Sequence, residues 1–180
     1  MAIHIDKNQP FHIASVGKSF TATLIGCLID DDLIRLDDKI NKYLHDTTID
    51  GLFIVNDKDY KDDVIIRHLL NHTSGVANYF DDETSHALPM KNLILQDKEK
   101  RWTPQNLLSF SRDYQKAVSP PGKTYHYSDT GYILLGLIIE QISEKSFDQM
   151  LQIKIFGLLE MNDSYLMFYS NPANKKKTNC

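Results

Sequence analysis

Apolar residues along this chain recur at helical spacing and clear two-residue alternation is scarce, so the fold has to be mainly helical. From Ser15 to about Asp30, Phe20, Leu24, Cys27 and Leu28 fall on one stripe at three- and four-residue steps. Asp30-Asp31-Asp32 ends that helix, Leu33 to Leu36 is a short apolar link, and Asp37-Asp38 can cap a small helix through Leu44. Residues 46–63 are polar and read as loop. Asp63 then precedes Val64 to Leu70, a buried helix that stops before Ser74-Gly75. Residues 78–101 again read as loop, with a turn of helix available at Leu93-Ile94-Leu95. Thr103-Pro104 starts a helix to about Lys116, because Thr caps and Pro is tolerated at the first helical position. Ser119-Pro120-Pro121-Gly122 breaks it. Ser128 to Glu144 is a mostly buried helix through Ile133, Leu134, Leu137, Ile138 and Ile142. Ser146 can cap another, with Phe147, Leu151, Ile155 and Leu158 on one face. Tyr165 to Tyr169 reads as one short strand, and the Lys-rich ending from Asn171 to Cys180 as a disordered tail.

Composition narrows the function classes. With 180 residues and 42% hydrophobic content, the chain suits one globular domain. A net charge of -4 gives no basic face for nucleic acid or an anionic membrane. Two cysteines, Cys27 and Cys180, make no disulfide framework, and Cys27 reads as a small core residue. No apolar run reaches the roughly 18 residues that a membrane span needs. Met1 to Asp6 has no charged and apolar leader pattern, so the chain as written reads as cytoplasmic.

Two segments carry chemistry. Ser15-Val16-Gly17-Lys18 puts a hydroxyl and an amine on one helical face at the head of the first helix. A serine becomes a nucleophile only with a base in reach, and a lysine serves if burial or nearby positive charge lowers its pKa. The bland alternative is a capping serine beside a solvated lysine. The second segment, Pro121 to Gly136, delivers Tyr127, Ser128 and Asp129 through a turn into the buried helix. A tyrosine against a Ser–Lys pair can relay protons, or can simply pack at a helix entry.

Other motifs fail on inspection. Gly17-Lys18-Ser19 resembles the end of a phosphate-binding loop, but the glycine required at position 12 is His12. His68 and His72 lie four apart as zinc ligands do, but the metalloprotease glutamate at position 69 is Leu69. Neither a metal nor a cofactor is expected.

Together the two segments resemble the serine β-lactamase and penicillin-binding D,D-peptidase superfamily, in its class C-like branch, which also holds esterases and D-amino-acid peptidases. Three stretches carry the resemblance, in order over most of the chain: Pro10 to Ala22, Ile66 to Gly75, and Pro121 to Gly136 with its continuation through Met161. The resemblance implies that Ser15 is the acylated nucleophile, that Lys18 activates it, and that Tyr127 shares the proton transfer. Asp129 stands where the family usually has the asparagine that contacts the substrate amide. An ionised Asp only accepts, which bears on substrate preference, and its charge would favour protonated Lys18. In another register, Ser128-Asp129-Thr130 imitates a class A motif, but the surrounding residues fit the tyrosine register better. Gly17 replaces a common Thr at a helix cost of about 1 kcal/mol.

The family's third element is Lys or His, then Thr or Ser, then Gly, on a strand lining the cleft. After Tyr127 the nearest triplet is Lys177-Thr178-Asn179, and only Ala2 to Ile5 could supply a preceding strand. The expected fold is therefore mainly α (α+β overall). It is the helical region of the β-lactamase/D,D-peptidase fold, truncated at both ends, with most of the antiparallel sheet missing. Residues 1–164 would form that helical region and 165–180 a short strand or tail. The implied function is a serine hydrolase acting on an amide, lactam or ester through an acyl-Ser15 intermediate. The alternative is a catalytically inactive fragment or binding module. Expected partners are a small-molecule or peptidoglycan-type peptide substrate, and a second copy through a surface the absent sheet leaves uncovered. Family members are often exported, which leaves the compartment open.

Overall fold

The structure is a computed structural model that describes residues 9–97 and 99–172. Its centre is a helix pair. Helix α1 (Gly17–Asp30) follows a 3-10 turn over Ala14–Val16, and helix α6 (Asp129–Ser143) packs across it. The remaining helices are α2 (Asp46–Ile49), α3 (Ile66–Leu70), α4 (Met90–Gln96), α5 (Pro104–Tyr114) and α7 (Phe147–Leu151). Helices α3, α5 and α7 also pack on α6, which is why α6 is apolar nearly all round. Leu134, Leu135, Ile138 and Ile139 of α6 are fully buried against Leu24, Ile25 and Leu28 of α1 and Ile66 and Leu69 of α3. Both ends of α6 are written locally. The Ser128 hydroxyl accepts the Gly131 N–H at 3.4 Å, and Glu144 closes the helix in the left-handed region at φ 53°. The Thr103 hydroxyl caps α5 in the same way, accepting from Asn106 N–H at 3.2 Å.

Several elements differ from the sequence expectation. The stretch 46–63 is structured: α2 is followed by a hairpin of β1 (Ile54–Val55) and β2 (Lys58–Asp59). Asn56 and Asp57 turn it with φ of 49° and 63°, and Ile49, Leu52 and Phe53 are buried beside it. Three apolar anchors among many polar residues are too sparse to show a period, yet they suffice to tie the segment to the core. Arg112 on α5 secures it from outside, donating to the carbonyls of Asp50 at 2.6 Å, Thr48 at 3.0 Å and Thr47 at 3.1 Å. The small helix through Leu44 is only a 3-10 turn, Ile40–Lys42. Val64 and Ile65 are extended, because Ile65 forms an antiparallel bridge with Lys39. After α7 the chain widens into a π-helical turn, Gln152–Phe156. The added residue breaks the 3.6-residue register, so Leu158 is 72% exposed instead of sharing the Ile155 face. Residues 165–169 hold no strand: 167–169 form a turn, closed by Tyr169 N–H on the Leu166 carbonyl at 3.0 Å. Cys27 is half-buried at the edge of its stripe.

Among the described residues the only sheet is the two-stranded hairpin, so the architecture is the helical region of its fold. Ala2 to Ile5, the Lys177-Thr178-Asn179 triplet, Cys180 and nearly all of the proposed tail lie outside the described residues. No described helix is long and apolar enough to cross a membrane.

One loop pairing positions the site. Residues 72–78, after α3, run alongside residues 118–128, before α6. Val118 N–H donates to Gly75 O at 2.8 Å, Gly122 N–H to Thr73 O at 2.7 Å, and His126 N–H to His72 O at 2.8 Å. The Ser128 hydroxyl closes the seam on Ala77 O at 3.0 Å. The pairing needs a glycine at 75: its φ is 79°, and a Cβ there would lie 1.8 Å from the Ser119 carbonyl oxygen.

Candidate active site

Ser15 lies in the 3-10 turn that leads into α1, directly after Ala14, whose φ of 46° is left-handed. A non-glycine residue there stores strain, of a kind that gathers at functional sites. The serine is exposed and presents its hydroxyl at the head of the helix. Two side chains converge on Oγ. Lys18 Nζ, one turn along, donates at 3.3 Å, and the Tyr127 hydroxyl donates at 2.9 Å. Lys18 Nζ is also ion-paired with Asp129 Oδ1 and lies 4.9 Å from the Tyr127 ring centre and 5.5 Å from that of Tyr132. All four residues expected from the sequence, Ser15, Lys18, Tyr127 and Asp129, thus meet in one place. Gly17 has open space around it and helical dihedrals, and nothing in the structure explains it.

The electrostatics favour the charged amine, in the direction the Asp129 charge implies. Burial alone would lower the Lys18 pKa, but hydrogen bonds and charge from Asp129 and then Tyr127 outweigh it and hold the amine above its ordinary value. The pair is shielded, with side chains only 19% and 20% exposed, so the attraction is weakly screened by solvent. Lys18 is therefore an ammonium at neutral pH. Asp129 is the first cause and Tyr127 the second.

Residues that sequence reasoning missed build the wall behind these four. Buried Asn78 accepts the Asp129 N–H at 3.2 Å through Oδ1, while its own N–H donates to Asp82 at 2.7 Å. Asp82 also meets His126 Nε2 at 2.8 Å. Tyr79 N–H donates to Thr130 Oγ1 at 3.0 Å. Its phenol is pushed up to about 12 by burial, with Asp129 and Tyr127 adding to the effect, so it stays a neutral donor. His72 stacks on Tyr127 and Tyr132, with ring centres 4.4 Å and 5.1 Å apart. Only the Thr73-Ser74-Gly75 turn hints at this wall, because its members meet Ser128 and Asp129 across about fifty residues of chain. His68, on α3, and His72, just after it, each spend a ring nitrogen on the backbone. His68 Nδ1 accepts Ile65 N–H at 3.4 Å and His72 Nδ1 accepts Ser128 N–H at 3.1 Å. Among the described residues no three His, Cys, Asp or Glu side chains gather as a metal would require.

Comparison with known proteins gives a consistent result. The Beta-lactamase family model matches residues 2–176. Penicillin-binding protein 4* of Bacillus subtilis (strain 168) is 30% identical over 161 residues, which cover 87% of this chain and 30% of that protein. Penicillin-binding protein 4 of Amycolatopsis lactamdurans is 29% identical over 162 residues, covering 90% of this chain and 37% of that protein. Among solved structures, D-amino acid amidase from Ochrobactrum anthropi SV3, complexed with L-phenylalanine, superposes with a TM-score of 0.69 at 30% identity. It covers 89% of this chain and 38% of that one. The octameric penicillin-binding protein homologue from Pyrococcus abyssi gives 0.66 at 31% identity, covering 86% and 32%. The chain spans about a third of the length of the curated relatives it matches.

Proposed function

The chain belongs to the beta-lactamase family, and on that premise we propose that it is a serine hydrolase that cleaves an amide, lactam or ester through an acyl-Ser15 intermediate. The observation that carries this reading is the convergence of Tyr127 and Lys18 on one serine oxygen, at 2.9 Å and 3.3 Å. Ser15 Oγ attacks the substrate carbonyl carbon, forming a C–O bond while the carbonyl electron pair moves onto oxygen. The serine proton passes to the Lys18–Tyr127 pair. The oxyanion then collapses, the bond to the leaving amine or alkoxide breaks, and that group takes up the proton. Water repeats the sequence to release the acid. Both neighbours of Ser15 donate to it in the resting arrangement, so the pair has to lose one proton before it can accept the serine's. Acylation is accordingly expected to rise with pH. Asp129 would face the substrate beside the scissile bond, as an acceptor only.

Penicillin-binding and D-amino acid amidase relatives support a substrate with an amide or lactam at the scissile bond. The test is hydrolysis of a penicillin, a D-amino-acid amide and a p-nitrophenyl ester, each with wild type and Ser15→Ala. Turnover of at least one substrate that Ser15→Ala abolishes supports the reading. No turnover of any favours the alternative, a catalytically inactive family fragment or binding module. The observation on that side is the committed Lys18–Asp129 ion pair. Self-association is part of the same proposal. The exposed Leu158, Leu159 and Phe168 are apolar surface for it, and sedimentation of the full chain as a monomer would remove it.

A further inference from the structure

Tyr127 is held on both sides by a single residue. The carbonyl of His72 accepts the N–H of His126 at 2.8 Å, and its Nδ1 accepts the N–H of Ser128 at 3.1 Å. The residues just before and just after Tyr127 are thus tied to the same histidine. The His72 ring also lies against the Tyr127 ring, 4.4 Å between centres with the planes 31° apart, and against Tyr132 at 5.1 Å. Tyr125 meets it edge-on at 6.0 Å. His72 does this from a left-handed backbone, at φ 59°, a conformation that persists in a non-glycine residue only when its surroundings enforce it.

We propose that His72 is the positioning residue of this site: as a neutral imidazole protonated on Nε2, it fixes the backbone and ring of Tyr127 so that the phenol reaches Ser15. The proposal rests on the reading of Tyr127 as a proton-transfer group. Neutral imidazole offers one acceptor, and here Nδ1 must be it, because its partner is an N–H. An imidazolium has no acceptor. Protonation would set an Nδ1–H against the Ser128 N–H, and the bond on the far side of Tyr127 would be lost. The groups facing His72 mostly oppose that event. Burial comes first and Lys18 second in keeping its pKa below the ordinary value, with His126 adding a little. Asp129 pushes the other way, while the Ser128 N–H, which needs the Nδ1 lone pair, opposes protonation. The Tyr132 phenol is held above its ordinary value, chiefly by burial, and Asp82 is engaged with His126. Activity should therefore carry an acid limb that belongs to His72, in addition to the alkaline rise set by Lys18 and Tyr127.

Two measurements test this together. In wild type, long-range proton–nitrogen NMR should show the Nε2–H tautomer of His72, with the Ser128 amide shifting along the His72 titration. Labelling of Ser15 by a fluorophosphonate, which already slows as pH falls, should fall more steeply below that same His72 midpoint. His72→Phe keeps the ring and removes the acceptor, and should label about 100-fold slower with that acid limb gone. His72→Asn, whose amide oxygen can accept from Ser128, should recover part of the rate. An Nδ1–H tautomer, a Ser128 amide indifferent to the His72 titration, or wild-type labelling and acid limb in His72→Phe would each overturn the proposal. If wild type takes no label at any pH, the hydrolase reading fails, and the wild-type NMR still decides the positioning claim. The same spectra decide it if His72→Phe does not fold.

Discussion

Gly75→Ala puts the loop pairing behind the active site under the most direct load. Three effects add. The backbone at φ 79° costs alanine roughly 1–2 kcal/mol in the left-handed region. The new methyl would sit 1.8 Å from Ser119 O, so that carbonyl has to retreat. The retreat breaks or stretches Val118 N–H to Gly75 O and Gly122 N–H to Thr73 O, at about 1 kcal/mol each. The sum is about 3–4 kcal/mol, which lowers Tm by roughly 6–16 °C in a chain of this size. Urea unfolding followed by circular dichroism measures it. Gly26→Ala is the control, because nothing lies within 4 Å of a Cβ at that position inside α1. It should stabilise by about 0.5–1 kcal/mol. Gly75→Ala should also slow Ser15 labelling, because the same seam ends at Tyr127. A Gly75→Ala protein within 1 kcal/mol of wild type (a bound from the ordinary scatter of surface changes, about ±0.5 kcal/mol) would refute the reasoning: the loops would then absorb the clash, and the pairing would not be what holds residues 118–128.

Three further outcomes are expected. Tyr127→Phe removes the 2.9 Å hydrogen bond to Ser15 and should cut the acylation rate by about 100- to 10,000-fold without changing the unfolding midpoint, measured by mass spectrometry over time. Asp129→Asn removes the larger of the two influences that hold the Lys18 pKa up and leaves only Tyr127 against burial. The alkaline rise of the labelling rate should therefore move to lower pH, and an unmoved profile would show that Lys18 is not the group being titrated. His68 and His72 both have depressed pKa values, chiefly from burial. The unfolded chain then binds protons first as pH falls, so stability is full above the unfolded histidine value of about 6.5 and declines below it; equal urea midpoints on either side of that value would contradict this.

How much of this was legible in the sequence depends on the range of the interaction. Helices α5 and α6 were readable end to end, because Thr103, Ser128 and the apolar run between Ile133 and Ile142 act on their own neighbours. Ser15 and Lys18 were readable for the same reason, one helical turn apart. Tyr127 and Asp129 needed the family resemblance, since no local rule brings residue 127 to residue 15. The segment after Asp46 is illegible because Ile49, Leu52 and Phe53 bury themselves singly, without a period. The position of Leu158 is illegible because a π-turn leaves no mark in hydrophobic spacing. The part His72 plays leaves no local trace, because its tie to Ser128 spans 56 residues. The charge state of Lys18 was half legible: Asp129 was recognised as a bias toward the ammonium, but its outweighing burial required the contact itself.

The central claim is that Ser15 is a nucleophile served by Lys18 and Tyr127. Intact-mass analysis after incubation with a fluorophosphonate tests it most directly. The account predicts a single covalent addition, located on Ser15, forming faster as pH rises and absent from Ser15→Ala. No addition at any pH, or an addition that persists in Ser15→Ala, would contradict it.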